Sequence, residues 1–119
     1  MEKKSKLSID KSGESGIIKI RNSAGKEITP VDRTDIHAEP NSITQFTNKK
    51  GGIDRNYYDE NGNQIKQISN NDHGKPKAHP FGEHGEHAHD YHLNDKGEPE
   101  HGKARDLTDE EREENGDML

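Results

Sequence analysis

Apolar side chains along this chain come in short bursts separated by long polar intervals, and each burst has the length of a strand. Gly16-Ile17-Ile18-Lys19-Ile20-Arg21 is the first. Turn chemistry at Asn22-Ser23-Ala24-Gly25 and a short extended piece at residues 26–29 follow, which predicts a hairpin. Residues 30–40 carry neither a helical nor a strand period and read as a connection. In Asn41-Ser42-Ile43-Thr44-Gln45-Phe46-Thr47 the apolar positions 43 and 46 fit either a helical turn capped by Asn41 or a strand. The clearest signal is Ile53-Asp54-Arg55-Asn56-Tyr57-Tyr58 and Gln64-Ile65-Lys66-Gln67-Ile68-Ser69 around Asn61-Gly62, a hairpin signature because both turn positions then take positive φ. A two-residue turn sets Tyr57 opposite Lys66 and Arg55 opposite Ile68, with Arg55, Tyr57 and Lys66 on one face. A bulged turn shifts that register by one, and the sequence does not choose.

Further along, residues 86–93 have room for another strand, and Asn94-Asp95-Lys96-Gly97-Glu98-Pro99 is a turn. Thr108 with Glu111 three residues on is a capping box, acids crowd the next turn, and Gly116 suits the C′ position, so a short helix is expected near the C-terminus. It has no apolar stripe with which to dock. The expectation is a small α+β domain: antiparallel, β-rich, built from hairpins, with one short C-terminal helix. Residues 1–14 read as a mobile, disordered basic arm, residues 15–115 as a single domain, and residues 116–119 as an acidic tail end.

Composition makes the core small. Leu, Ile, Val and Phe occupy 17 of 119 positions, under the roughly 20% at which disorder becomes a serious reading, but ten of them are Ile in short clusters. Net charge is −6, and residues 106–119, with seven acids and one base, account for all of it. The rest of the chain sums to zero, whereas a general polyanion binder is usually basic. Cysteine is absent, which excludes disulfides, thiolate metal sites and Cys nucleophiles. No apolar run approaches the roughly 18 residues that span a bilayer, and Met1-Glu2-Lys3-Lys4-Ser5-Lys6 leads into no apolar h-region. The expectation is therefore no membrane partner, no signal peptide and a cytoplasmic or phage-associated location.

The candidate chemistry lies in residues 72–92, which hold six of the eight histidines among Gly and Pro. On a strand, His87, His89, Tyr91 and Leu93 share one face, with Ala88, Asp90 and His92 on the other. Two histidines spaced by two support either of two chemistries. His-x-His completed by His84, His73, Glu86 or Asp90 gives a zinc or other divalent site without sulfur, the set His84, His87 and His89 being one version. The alternative is acid–base catalysis with no cofactor, as in RNA cleavage, where one imidazole takes the 2′-hydroxyl proton and another protonates the departing 5′-oxygen. Arg55 or Lys66 then supplies positive charge beside the phosphate, and Tyr57, Tyr91 and His84 are the substrate-binding candidates. His37 and His101 read as surface residues.

The run from Gly51-Gly52-Ile53-Asp54-Arg55-Asn56-Tyr57-Tyr58-Asp59 through Asn61-Gly62, Ile65-Lys66-Gln67-Ile68, Asp72-His73-Gly74 and His79-Pro80 to Gly85-Glu86-His87-Ala88-His89-Asp90-Tyr91 resembles a small domain found at the C-termini of bacterial polymorphic toxins and in phage minor-head proteins. The resemblance covers about residues 40–115. It implies a metal-independent ribonuclease toxin with His73, His87 and His89 in the active site and Arg55 and Lys66 contributing charge. It also implies RNA as substrate and an immunity or phage structural protein as partner. The chain opens on its own Met1 without the delivery module such toxins follow, which suggests a free-standing phage or mobile-element protein. The reading from a different class is a non-catalytic phage or mobile-element binding protein with a histidine metal site.

Overall fold

In a computed structural model, residues 20–75, 77 and 80–119 are described. The expected basic arm and residues 16–19 of the first strand candidate lie outside them. Seven strands form one sheet in sequence order: β1 (Ile20–Arg21), β2 (Glu27–Val31), β3 (Ile43–Thr47), β4 (Ile53–Tyr58), β5 (Gln64–Ser69), β6 (His87–Leu93) and β7 (Pro99–His101). One short helix follows, α1 (Asp109–Glu114). The fold is therefore mainly β rather than α+β, and the antiparallel, hairpin-built sheet is as the pattern predicts. The ambiguous stretch at residues 41–47 resolves as strand over Ile43–Thr47, where the adjacent β-branched pair Ile43 and Thr44 is buried.

The β4–β5 hairpin keeps the expected pairs, Tyr57 with Lys66 and Arg55 with Ile68, by a different turn. Gly62 alone takes positive φ (79°), and Gly62 N–H donates to Asp59 O, while Asp59 Oδ1 accepts from the N–H groups of Asn61 and Asn63. This is a three-residue loop, and a bulge that pairs Tyr58 with Gln64 restores the two-residue register beyond it. A Cβ at Gly62 would also lie 2.5 Å from Ala38 O, because the crossover after β2 packs against this turn.

That crossover, residues 32–42, joins the one parallel pair, β2 and β3. Parallel neighbours need a long connection, usually helical. Here it is irregular, a series of bends and turns with one isolated bridge, and hydrogen-bonded to the hairpin end, with Ala38 N–H donating to Gly62 O (3.0 Å), Gln64 N–H to Ile36 O (2.9 Å) and the Tyr58 hydroxyl to Asp35 O.

The core lies on the other side of the sheet. Ile68 and Ala88 are fully buried against Leu107 and Met118 from the C-terminal segment, with Ile53 and Tyr57 at its margin. So small an apolar cluster does not hold α1 alone, and α1 docks mainly through charge. Arg55, 1% exposed, donates to both Asp117 oxygens (2.9 and 2.6 Å), to Asn115 Oδ1 (2.9 Å) and to Gln45 Oε1 (2.9 Å). Lys66 pairs with Glu111 (3.1 Å), Arg105 bridges Asp90 and Glu111, and Arg112 bridges Glu86 and Asp106. Residues 116–119 are therefore not a loose tail end: Asp117 grips Arg55 and Met118 closes the core. The capping box is present, with Thr108 Oγ1 accepting from Glu111 N–H and Glu111 Oε1 from Thr108 N–H.

Removing Asp117 leaves the buried Arg55 guanidinium without its counter-charge. Asp117→Ala is expected to lower unfolding stability by on the order of 3 kcal/mol in urea titrations. Glu27→Gln, at the exposed Arg21–Glu27 pair, is expected to change it by less than about 1 kcal/mol.

The carboxylates also set an acid limit. Burial opposes the charge on Glu86 and Glu111. Hydrogen bonds from Arg112 and the His84 N–H outweigh it at Glu86, and those from Arg105, the Thr108 N–H and Lys66 do so at Glu111. Both carboxyls are thereby held at about 2 against an ordinary 4.5. A folded-state value below the unfolded one stabilises fully above the unfolded value and is lost as pH falls through the folded one. Stability is therefore expected to decline between pH 4.5 and about 2. Glu86→Gln is expected to shallow that decline in urea titrations run across this range.

Candidate functional site

The register of β4, β5 and β6 assigns each central side chain to one of two faces. Asp54, Asn56, Gln67, Ser69, His87 and His89 share one; Arg55, Tyr57, Lys66, Ile68, Ala88 and Asp90 share the other, beneath the C-terminal segment. The site residues expected from sequence are split between them.

On the first face, the β5–β6 connection positions His73. Asn71 Oδ1 accepts the His73 N–H (2.7 Å), Asp72 Oδ1 accepts the Gly74 N–H (2.7 Å) and Lys75 N–H donates to Asp72 O (2.9 Å). This bend puts His73 at φ 57°, a left-handed conformation uncommon outside glycine and associated with functional sites. The far end of the connection returns at Gly85, also left-handed (φ 79°), where a Cβ would sit 2.3 Å from the Asp72 Cβ. Only glycine allows that approach, and it brings His73 beside His87.

From His73 the imidazoles run in a row. Ring centroids are 5.1 Å apart for His73 and His87, 5.2 Å for His87 and His89, and 4.9 Å for His89 and His101, each pair edge to face. Tyr91 closes the row 5.9 Å from His101. His87 Nδ1 bonds Gly85 O (2.8 Å), and His89 Nδ1 and His101 Nδ1 both bond Gly102 O (2.8 and 3.0 Å). A carbonyl only accepts, so each Nδ1 carries the hydrogen, and Nε2 of the neutral ring holds the lone pair. His87 is fully buried, His89 is half-buried, and His73 and His101 are exposed.

Polar side chains line the floor. Ser69, opposite His87 in the ladder, donates to Asp54 Oδ1 (2.6 Å). Asn56, fully buried, accepts from Gln64 and Gln67 (2.8 Å each). Burial, with the charges of Tyr58 and Asp54, raises the Tyr91 hydroxyl above its usual value, against the hydrogen bond with Gln64.

Arg55, Lys66 and Tyr57 are absent from this face. The expectation that Arg55 or Lys66 stands beside a phosphate at the histidines is therefore corrected: strand alternation sends both to the opposite side, where the acidic segment engages them. Tyr57 is likewise withdrawn as a substrate contact. Its hydroxyl bonds Glu114 and Asn115, and burial pushes it well above the usual tyrosine value. His84 is exposed on the connection, with its backbone N–H on Glu86 Oε1 (3.0 Å), and does not join the row. Among the described residues, no group of three or more His, Cys, Asp or Glu side chains is disposed to hold a metal ion, so the set His84, His87 and His89 is not assembled. His79 lies outside the described residues. A cavity of about 560 Å³ between β2, β3 and residues 38–42 contains none of the expected site residues.

His101 is the member that sequence reasoning missed. The turn at residues 94–99 was legible, but only its reading as a hairpin, with Leu93 opposite Pro99 and Tyr91 opposite His101, carries His101 to the row. No protein-family model, curated protein or solved structure matches this chain.

The approach at Gly85 is directly testable. Gly85→Ala is expected to cost about 1–3 kcal/mol, the usual scale for a strained backbone position. It is also expected to abolish the nuclear Overhauser contact between the His73 and His87 rings while leaving the His89–His101 contact in place.

Proposed function

We propose that this domain cleaves RNA without a metal, using imidazoles of the row His73, His87, His89 and His101 as general base and general acid. The observation that carries the reading is the row itself: adjacent rings on one sheet face, three of them with Nδ1 on a main-chain carbonyl, so that in those that reach the substrate Nε2 is the nitrogen that exchanges a proton. The reading is the one expected from the likeness to toxin ribonuclease domains drawn from the sequence of residues 40–115.

In this mechanism a base removes the ribose 2′-hydroxyl proton, the 2′-oxygen bonds to phosphorus, and the bond to the 5′-oxygen breaks as an acid protonates it. The products are a 2′,3′-cyclic phosphate and a 5′-hydroxyl. With Arg55 and Lys66 committed to the other face, the positive charge beside the phosphate is that of an imidazolium. Lys75 and Lys77, exposed on the connection that carries His73, are further candidates. Tyr91 offers an aromatic surface for an unpaired base. On this reading the protein acts in the cytoplasm of a bacterial host or in association with a phage, with an immunity or phage structural protein as its partner.

The test is incubation of the purified protein with total RNA in EDTA. Expected are fragments ending in 2′,3′-cyclic phosphate and, for His89→Ala, a rate at least about 100-fold lower. RNA left intact in every buffer removes the reading. Cleavage abolished by EDTA replaces it with a metal-dependent one.

A further inference from the structure

Four imidazoles stand in the row, and the proton transfers need two. His87 is 0% exposed, so its ring does not reach a phosphate arriving from solvent. His73 is exposed, but its ring neighbour in the row is that buried one. The remaining adjacent pair is His89 and His101, half-buried and exposed, with centroids 4.9 Å apart and planes inclined at 69°.

We propose that His101, on edge strand β7, is a catalytic residue and forms with His89 the acid–base pair of the site. This rests on the RNA-cleavage reading and specifies its machinery. Both Nδ1 atoms donate to the same acceptor, Gly102 O, at 2.8 and 3.0 Å. One carbonyl thus fixes the tautomer and the tilt of both rings, and Nε2 exchanges the proton in each. The carbonyl is itself held in place: Gly102 N–H donates to Asp90 O (2.8 Å), and Tyr91 lies opposite His101 in the β6–β7 ladder with its ring 5.9 Å away.

In the pair, one ring takes the 2′-hydroxyl proton at its Nε2 while the other gives its Nε2 proton to the departing 5′-oxygen. Each turnover ends with the proton on the opposite ring, and hydrolysis of the cyclic phosphate in the reverse sense restores the start.

The experiment compares His101→Ala, His101→Asn and His92→Ala with the unaltered protein on RNA. It also reads ring tautomers by long-range ¹H–¹⁵N correlation in mildly alkaline buffer. Asn keeps an N–H where Nδ1 stood and can still bond Gly102 O, but it has no Nε2. His92 is exposed on the other face of β6 and serves as the control. Expected are kcat at least about 100-fold lower for both His101 variants, unchanged circular dichroism and thermal midpoint for His101→Asn, full activity for His92→Ala, and Nδ1–H in both rings of the unaltered protein. Cleavage by His101→Asn within threefold of normal overturns the assignment while leaving RNA cleavage standing. An Nε2–H tautomer at either ring overturns the pair whatever the kinetics. No cleavage by the unaltered protein sinks the RNA reading and this assignment with it.

Discussion

The bidentate grip of Arg55 on Asp117, inside a sheet face with few apolar side chains, is the contact on which the rest of the molecule depends. A guanidinium 1% exposed is tolerable only if its donors are satisfied, and the acceptors come from β3 and from the end of the chain. Charge does here what a leucine stripe does in most small domains. Because the pairs that tie the C-terminal segment down run from Arg105 through Glu111 and Arg112 to Asp117, on Asp90, Lys66, Glu86 and Arg55, the segment is oriented along its length rather than pinned at one point.

This arrangement explains the uneven charge of the sequence. Asp106, Glu111, Glu114 and Asp117, part of a run that by count resembles a solvated tail, are matched to cations of the sheet, of the β1–β2 turn and of the segment itself. It also separates two kinds of work. One face stores the ion pairs and the small core; the other carries imidazoles, amides, Ser69 and Asp54 and is free of that structural duty. The two meet at β6, where alternation sends Ala88 and Asp90 to the ion-paired side and His87 and His89 to the other.

How much of this was legible in the sequence depended on the range of the signal. Local signals were readable: the capping box at Thr108 and Glu111, the β4–β5 pairing, and the alternation of residues 87–93. The pairing of Tyr57 with Lys66 survived even though the turn is not the one Asn61-Gly62 suggests, because the bulge cancels the extra loop residue. The convergence of His73 with His87 and His89 followed from one rigid strand plus one bend. What was not legible came from contacts distant in sequence. Nothing in the pattern reveals that the face holding Arg55 and Lys66 is sealed by residues about fifty positions later, or that β2 and β3 run parallel. Position 101 reads as a polar surface residue until the strand that carries it is paired.

The late position of Asp117 and Met118 has a consequence for the order of events during synthesis. Until residue 118 has left the ribosome, the central strands hold a guanidinium without its carboxylate, and Ile68 and Ala88 lack their cover. The hairpins can form early, since their partners are close in sequence, but the sheet has one finished side and one raw side until residues 107–118 dock. A chain cut short before residue 117 would therefore present that raw surface to chaperones and proteases, which makes the docking of Asp117 and Met118 a quality-control step for everything the opposite face does.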